Sequence, residues 1–330
     1  MLKKLTLLTA CLIAVNNLFA CDVCGCYMGI TPNIGKNSFG VYYRYKAYQG
    51  YTNVNHKHSL FPNMDANRTG FAQPLHSGHV HDNYENSDYE VIQVAEIRGK
   101  YFIHPNIELN AVLPYYYNNS VEGPVFSEGR GMGDVNFYTG FHIVNTEGKK
   151  LMHRVITGFG VKLPTGKTNT EDEYGIRNFV THQPGTGTTD LFAYINHIMA
   201  YNKWVLNTNV MAKANGENEY NEKLASSISA NLNVFYKLEG KQVTWMPSIK
   251  TGYEYMKGVY LNEVLETGTG TNCIVVGPGI DAFVGKLGIS LTTQFAVYDK
   301  QPFLVLANSG QIIAGVTYNF GSNNFLLKSE

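Results

Sequence analysis

The chain has 330 residues, 26 of them Lys or Arg and 26 Asp or Glu, so it has no basic excess for nucleic acid and no acidic tail. Charged residues make up 16%, against about 25% in an ordinary soluble domain. The 44% hydrophobic and 13% aromatic content excludes disorder, and the low charge argues against a cytosolic enzyme.

Lys3 and Lys4 precede an apolar run from Leu5 to Val15, and Leu18-Phe19-Ala20 precedes Cys21. A charged start, a short apolar stretch and a small residue at the cut define a secretory signal over residues 1–20. The run is too short for a helix across a bilayer, which takes about 20 residues. Cleavage before Cys21 is one reading. The other is a lipobox, with Cys21 lipidated in the outer membrane of a Gram-negative bacterium. Residues 21–36 follow as a Cys-rich segment expected in the periplasm. No later stretch has 18 consecutive apolar residues, so an exported chain of this composition points to a transmembrane β-barrel.

Period-two alternation carries that reading. Leu287, Ile289, Leu291, Phe295 and Val297 alternate with Gly288, Ser290, Thr292, Gln294 and Ala296. Leu224 to Tyr236 places Leu224, Ile228, Leu232, Val234 and Tyr236 on one face, and Asp134 to Ile143 opposes Val135 and Phe137 to Asn136 and Tyr138. The whole chain predicts an all-β, antiparallel up-and-down barrel of about twelve strands over 37–320, with a tail at 321–330. The strand spans are 38–49, 89–103, 107–116, 133–144, 152–163, 189–200, 204–213, 224–236, 243–256, 273–284, 287–298 and 311–320.

Short connections at 104–106, 145–150, 201–203, 238–242 and 285–286 alternate with long ones at 50–88, 117–132, 164–188, 214–223, 257–272 and 299–310. Outer-membrane barrels have short periplasmic turns and longer external loops. A soluble barrel would bury its apolar face and show charge outside. Here the polar face is mostly Gly, Ser, Thr, Asn and Tyr, which suits a wet lumen. Tyr45, Tyr48, Tyr89, Tyr101, Tyr115 to Tyr117, Tyr201, Trp204, Trp245, Tyr255, Tyr298, Tyr318 and Phe320 fall near strand ends, as interfacial girdles require.

Alternation assigns Arg44, Lys46, Glu96, Arg98, Lys100, Glu108, Asp134, Lys162, Lys250, Glu254 and Asp281 to the lumen, where they either tune permeation or pair and plug it. Twelve strands spaced about 4.8 Å apart and tilted about 40° give a backbone radius near 12 Å, enough for small solutes only. His56, His58, His76, His79 and His81 crowd the first long loop, and neutral imidazoles suit Zn²⁺, Cu²⁺ or Ni²⁺. The competing reading is a solvated polar loop. Cys21, Cys24 and Cys26 form a C-x-x-C-x-C start that either binds a soft transition metal or forms a disulfide. His182 and His197 lack a partner motif, so no enzyme is expected. Gly166-Lys167-Thr168 lacks the glycine a phosphate loop needs at position 161, where Val161 stands.

Three stretches resemble a known family: Gly131-Met132-Gly133-Asp134, Gly160-Val161-Lys162-Leu163-Pro164-Thr165-Gly166-Lys167, and Gln183-Pro184-Gly185-Thr186-Gly187-Thr188-Thr189-Asp190. They look like the MetA-pathway phenol-degradation family of outer-membrane proteins, over roughly residues 37–320. The resemblance implies a barrel that passes small, hydrophobic or aromatic molecules, with outer-membrane lipids and a small solute as partners. Read as residues alone, the same stretches are turn chemistry: prolines end strands and glycines allow tight turns. The Cys and His clusters lie outside the resemblance. They carry an alternative function, binding or sensing of a transition metal.

Overall fold

A computed structural model describes residues 35–51, 60, 88–122, 125–148, 151–266, 269–300 and 306–321. Seventeen strands occur among them: β1 (Asn37–Tyr51), β2 (Tyr89–His104), β3 (Ile107–Glu122), β4 (Val125–Met132), β5 (Val135–Glu147), β6 (Leu151–Leu163), β7 (Asp190–Tyr201), β8 (Trp204–Ala214), β9 (Glu222–Leu224), β10 (Ser227–Tyr236), β11 (Leu238–Glu239), β12 (Thr244–Met256), β13 (Val259–Leu261), β14 (Val264–Leu265), β15 (Thr271–Val284), β16 (Leu287–Asp299) and β17 (Leu306–Phe320). Twelve of them close a barrel in the order β1-β2-β3-β5-β6-β7-β8-β10-β12-β15-β16-β17. β17 pairs antiparallel with β1, from Asn37 opposite Phe320 to Tyr51 opposite Leu306. All the pairings are antiparallel, and closure leaves the barrel no free edge.

Burial settles which face is which. On β16 Ile289 and Leu291 are 53% and 48% exposed, whereas Thr292 and Gln294, on the other face, are 1% and 5% exposed. β1 repeats this, with Phe39, Val41 and Tyr43 outside and Tyr42 and Lys46 inside. A soluble barrel would have the opposite polarity. The fold is that of a transmembrane β-barrel. Among the described residues no helix is long and apolar enough to cross a membrane. Tyr101, Tyr201, Trp204, Trp245 and Tyr318 stand outward near the short turns, as a girdle requires. Tyr48, Tyr89 and Tyr116 depart from the expected girdle, because all three are buried.

The long loops hold more structure than alternation shows. Residues 117–132 are not a loop: β3 runs on to Glu122 and β4 returns along it, with Tyr115 opposite Met132. A hairpin projecting past the lipid zone has no apolar face to maintain, so period two fades while pairing continues. The expected strand 224–236 is two elements. Leu224 lies in a separate sheet, β14-β13-β9, and is buried with Val180, Ala225, Met256 and Val259 instead of facing out. The last strand begins at Leu306, five residues before the expected 311.

The narrow wall between β5 and β7 depends on a side-chain-free position. A Cβ on Gly158 would sit 2.0 Å from the Thr139 carbonyl oxygen and 2.6 Å from the Tyr194 ring. Gly158→Val is therefore expected to abolish folding into the heat-modifiable barrel, checked by electrophoretic mobility with and without boiling. Valine there has no room to move, because the obstacle includes backbone.

Candidate functional site

Inward-facing positions fill the lumen with ion pairs. Glu96 accepts from Arg98 and lies 3.9 Å from Arg44. Lys46 on β1 reaches Glu254 on β12 at 2.9 Å, past three intervening strands. Lys250 pairs with Asp281 at 3.2 Å, and its carbonyl accepts from Gln294, which in turn accepts from Gln311. Glu108 accepts from Asn110 at 3.3 Å and lies 3.2 Å from His142 Nε2. Of the eleven residues that alternation assigns to the lumen, Lys100 alone has no opposite charge or histidine within 4 Å among the described residues; its Nζ lies 5.6 Å from the centre of the Phe102 ring.

A second knot sits at the long-loop mouth. Lys162 pairs with Asp134 at 2.9 Å and with Asp190 at 2.7 Å, and Lys213 reaches Asp190 at 2.9 Å. Loop 164–188 is tied into it. Asp134 accepts from the backbone N–H of Gly166 (2.9 Å), the N–H of Thr186 (2.8 Å) and the Thr186 hydroxyl (2.9 Å). Lys162 donates to Thr186, and Thr188 donates to Asp190 at 2.6 Å. Gly166 and Gly185 lie back to back: a Cβ on Gly185 would come within 2.6 Å of Gly166 Cα. The three stretches that carry the family resemblance thus converge on one buried structure. Their glycines give close backbone approach, and their Lys, Asp and Thr residues supply the bonds.

The same loop reaches from β6 to β2 and to the small sheet at the mouth. Its 3-10 turn Val180–His182 sets His182 Nε2 3.5 Å from Glu90 on β2. Val180 packs against Leu224 of β9 and Val259 of β13. Arg177 grips Glu222 through two bonds of 2.9 and 3.0 Å and lies 3.6 Å from the Tyr220 ring centre.

At the opposite, short-turn end the lumen keeps a cavity of about 110 Å³. Its lining combines Arg98, Lys100, Glu108, His142 and Arg154 with Tyr42, Phe102, Tyr138, Ile156 and Ile198. Arg98 lies 4.5 Å from the Tyr42 ring centre, and Tyr138 meets Phe192 and Tyr194 edge-on at 5.9 and 5.8 Å.

His56, His58, His76, His79, His81, Cys21, Cys24 and Cys26 lie outside the described residues. Among the described residues no three His, Cys, Asp or Glu side chains are grouped to hold a metal. His197 stands edge to edge with His153, its Nε2 3.2 Å from His153 Nδ1, and Cys273 is buried beside Asn308. Asp190, Lys213, Arg154 and His142 are absent from the set that the sequence suggests. The alternation that points Lys162 inward also points Asp190 and Lys213 inward, so the signal was present in the pattern.

A closed antiparallel barrel with an apolar outer wall and a charged inner one defines the outer-membrane barrel class. The COG4313 outer membrane channel from Pseudomonas putida F1 has a similar fold, with a TM-score of 0.64 and 12% identity over 90% of this chain and 99% of that one. The β-domain of the Bordetella autotransporter BrkA is similar at a TM-score of 0.50 and 12% identity, over 87% and 100%. No family model matches the sequence, and no curated protein matches it.

Proposed function

We propose that this chain is an outer-membrane channel that passes a small solute passively and is not an enzyme. Residues 1–20 are its export signal, and outer-membrane lipids surround the barrel. The observation that carries the reading is the polar inner wall, with a cavity open to solute-sized molecules, opposite the apolar outer wall. The fold likeness to the Pseudomonas putida outer membrane channel supports it. The resemblance to the phenol-degradation family and the Tyr42, Phe102 and Tyr138 walls favour a hydrophobic or aromatic solute. The eleven lumen residues set the field that such a solute meets.

Purified protein in a planar bilayer is expected to give small, discrete current steps, and proteoliposomes should swell in small neutral solutes. A correctly folded barrel that does neither would overturn the channel reading.

A further inference from the structure

We propose that the cavity at the short-turn end is a binding subsite for a small organic monoanion, a carboxylate on a compact apolar body. Lys100 meets the carboxylate, and Tyr42, Phe102, Tyr138 and Ile156 take the body. The inference deepens the channel reading above and rests on it for its role in transport.

The geometry around Lys100 carries the argument. Every other charged residue that alternation assigns to the lumen has an opposite charge or a histidine within 4 Å. The lining holds one carboxylate, Glu108, which accepts from Asn110, lies 3.2 Å from His142 and feels the Lys100 charge from beyond 4 Å. Nearby Glu96 is taken by Arg98. No carboxylate oxygen of a described residue lies within 4 Å of the Lys100 ammonium, which faces a cavity whose other charged members include Arg98 and Arg154. A cationic guest would meet Lys100 and Arg154, with Arg98 already offset by Glu96 and only Glu108 to attract it. A neutral guest would gain contact with the rings but nothing from Lys100. An anion gains from both, and the partly enclosed site screens the attraction less than bulk water does.

Size sets the second limit. A cavity of about 110 Å³ holds on the order of ten water-sized atoms, which admits a guest such as benzoate and excludes peptides and sugar chains. The rings present faces to a planar or compact body, and Arg98 already uses one Tyr42 face, so guest and guanidinium share an aromatic wall.

Titration calorimetry on the full barrel in detergent tests this, with benzoate and its neutral counterpart benzyl alcohol as probes. Benzoate is expected to bind one per chain, at least tenfold more tightly than benzyl alcohol. Lys100→Gln should weaken benzoate at least tenfold and leave benzyl alcohol unchanged. Glu108→Gln removes the one carboxylate in the lining and should tighten benzoate, a change of sign that a misfolded variant cannot produce. The proposal fails if benzoate does not bind, if the two probes bind alike, or if Lys100→Gln leaves benzoate affinity unchanged. Calorimetry needs no current, so the two readings separate. Selective binding by a barrel that never conducts keeps the subsite and sinks the channel. Conduction without selective binding does the reverse.

Discussion

Asp134→Ala is expected to release loop 164–188 and enlarge the single-channel current. Asp134 holds two backbone N–H groups and a hydroxyl of that loop, and it neutralises Lys162. Each hydrogen bond to a charged group is worth about 1.5–3 kcal/mol, and three of them tie the loop to Asp134. At about 1.4 kcal/mol per decade, the opened state of the loop should gain a hundredfold or more. The barrel ladder itself survives, because β5 and β6 pair through their backbones from Val135 opposite Leu163 onward. Limited trypsin digestion gives an independent readout. Arg177 is held by Glu222 and Tyr220 in the native loop, so a cut after Arg177 should appear only in the variant. Unchanged current steps together with resistance to trypsin would show that the loop is held by its apolar contacts around Val180 and not by Asp134.

The parts of this fold legible in the sequence are those that lipid dictates. Where a strand faces hydrocarbon, each outward residue must be apolar and each inward one must suit a wet interior, so Leu287 to Val297 reads without ambiguity. Beyond the lipid that constraint ends. The β3–β4 hairpin keeps its pairing with Asn118, Asn119 and Ser120 in it, residues that look like loop. Leu224 shows the complementary error. Its apolar side chain continues the outward phase of the next strand, yet Ala225 and Ser226 intervene and send it into a small core under the loops. The mouth knot is legible in part: alternation points its residues inward but does not pair them. Asp134, Lys162, Asp190 and Lys213 sit at the same end of four successive strands, β5 to β8, and alternation along each strand gives its facing but not the register across strands that sets them side by side. The glycine-rich stretches around it read as turns because each supplies only half of a contact, as Gly166 and Gly185 do.

Charge placed on the outer wall should behave quite differently from charge in the lumen. Leu291 stands outward near the middle of β16, opposite Ala314 of β17 and Ile280 of β15. Arginine there meets hydrocarbon, at a cost of about 2–4 kcal/mol at the membrane midplane. Leu291→Arg is therefore expected to lower the folding equilibrium constant roughly thirtyfold or more in bilayers, read by heat-modifiable mobility during refolding into liposomes across a urea series. Lys100→Glu is the contrasting inward change. Lys100 is only half-buried and its nearest carboxylate, Glu108, lies beyond 4 Å, so insertion should proceed close to normally while anion preference falls. Inwardness alone does not ensure tolerance, and Lys250 shows why. Lys250→Glu would set a second carboxylate beside Asp281, whose present partner is the lysine 3.2 Å away. Two buried like charges with no counterion disfavour the fold as surely as one charge in lipid. The expected order of refolding yield is wild type and Lys100→Glu together, with Lys250→Glu and Leu291→Arg both far below. A yield for Lys100→Glu well below that of Leu291→Arg would mean that the inward and outward faces had been exchanged, and equal yields that facing does not set the cost.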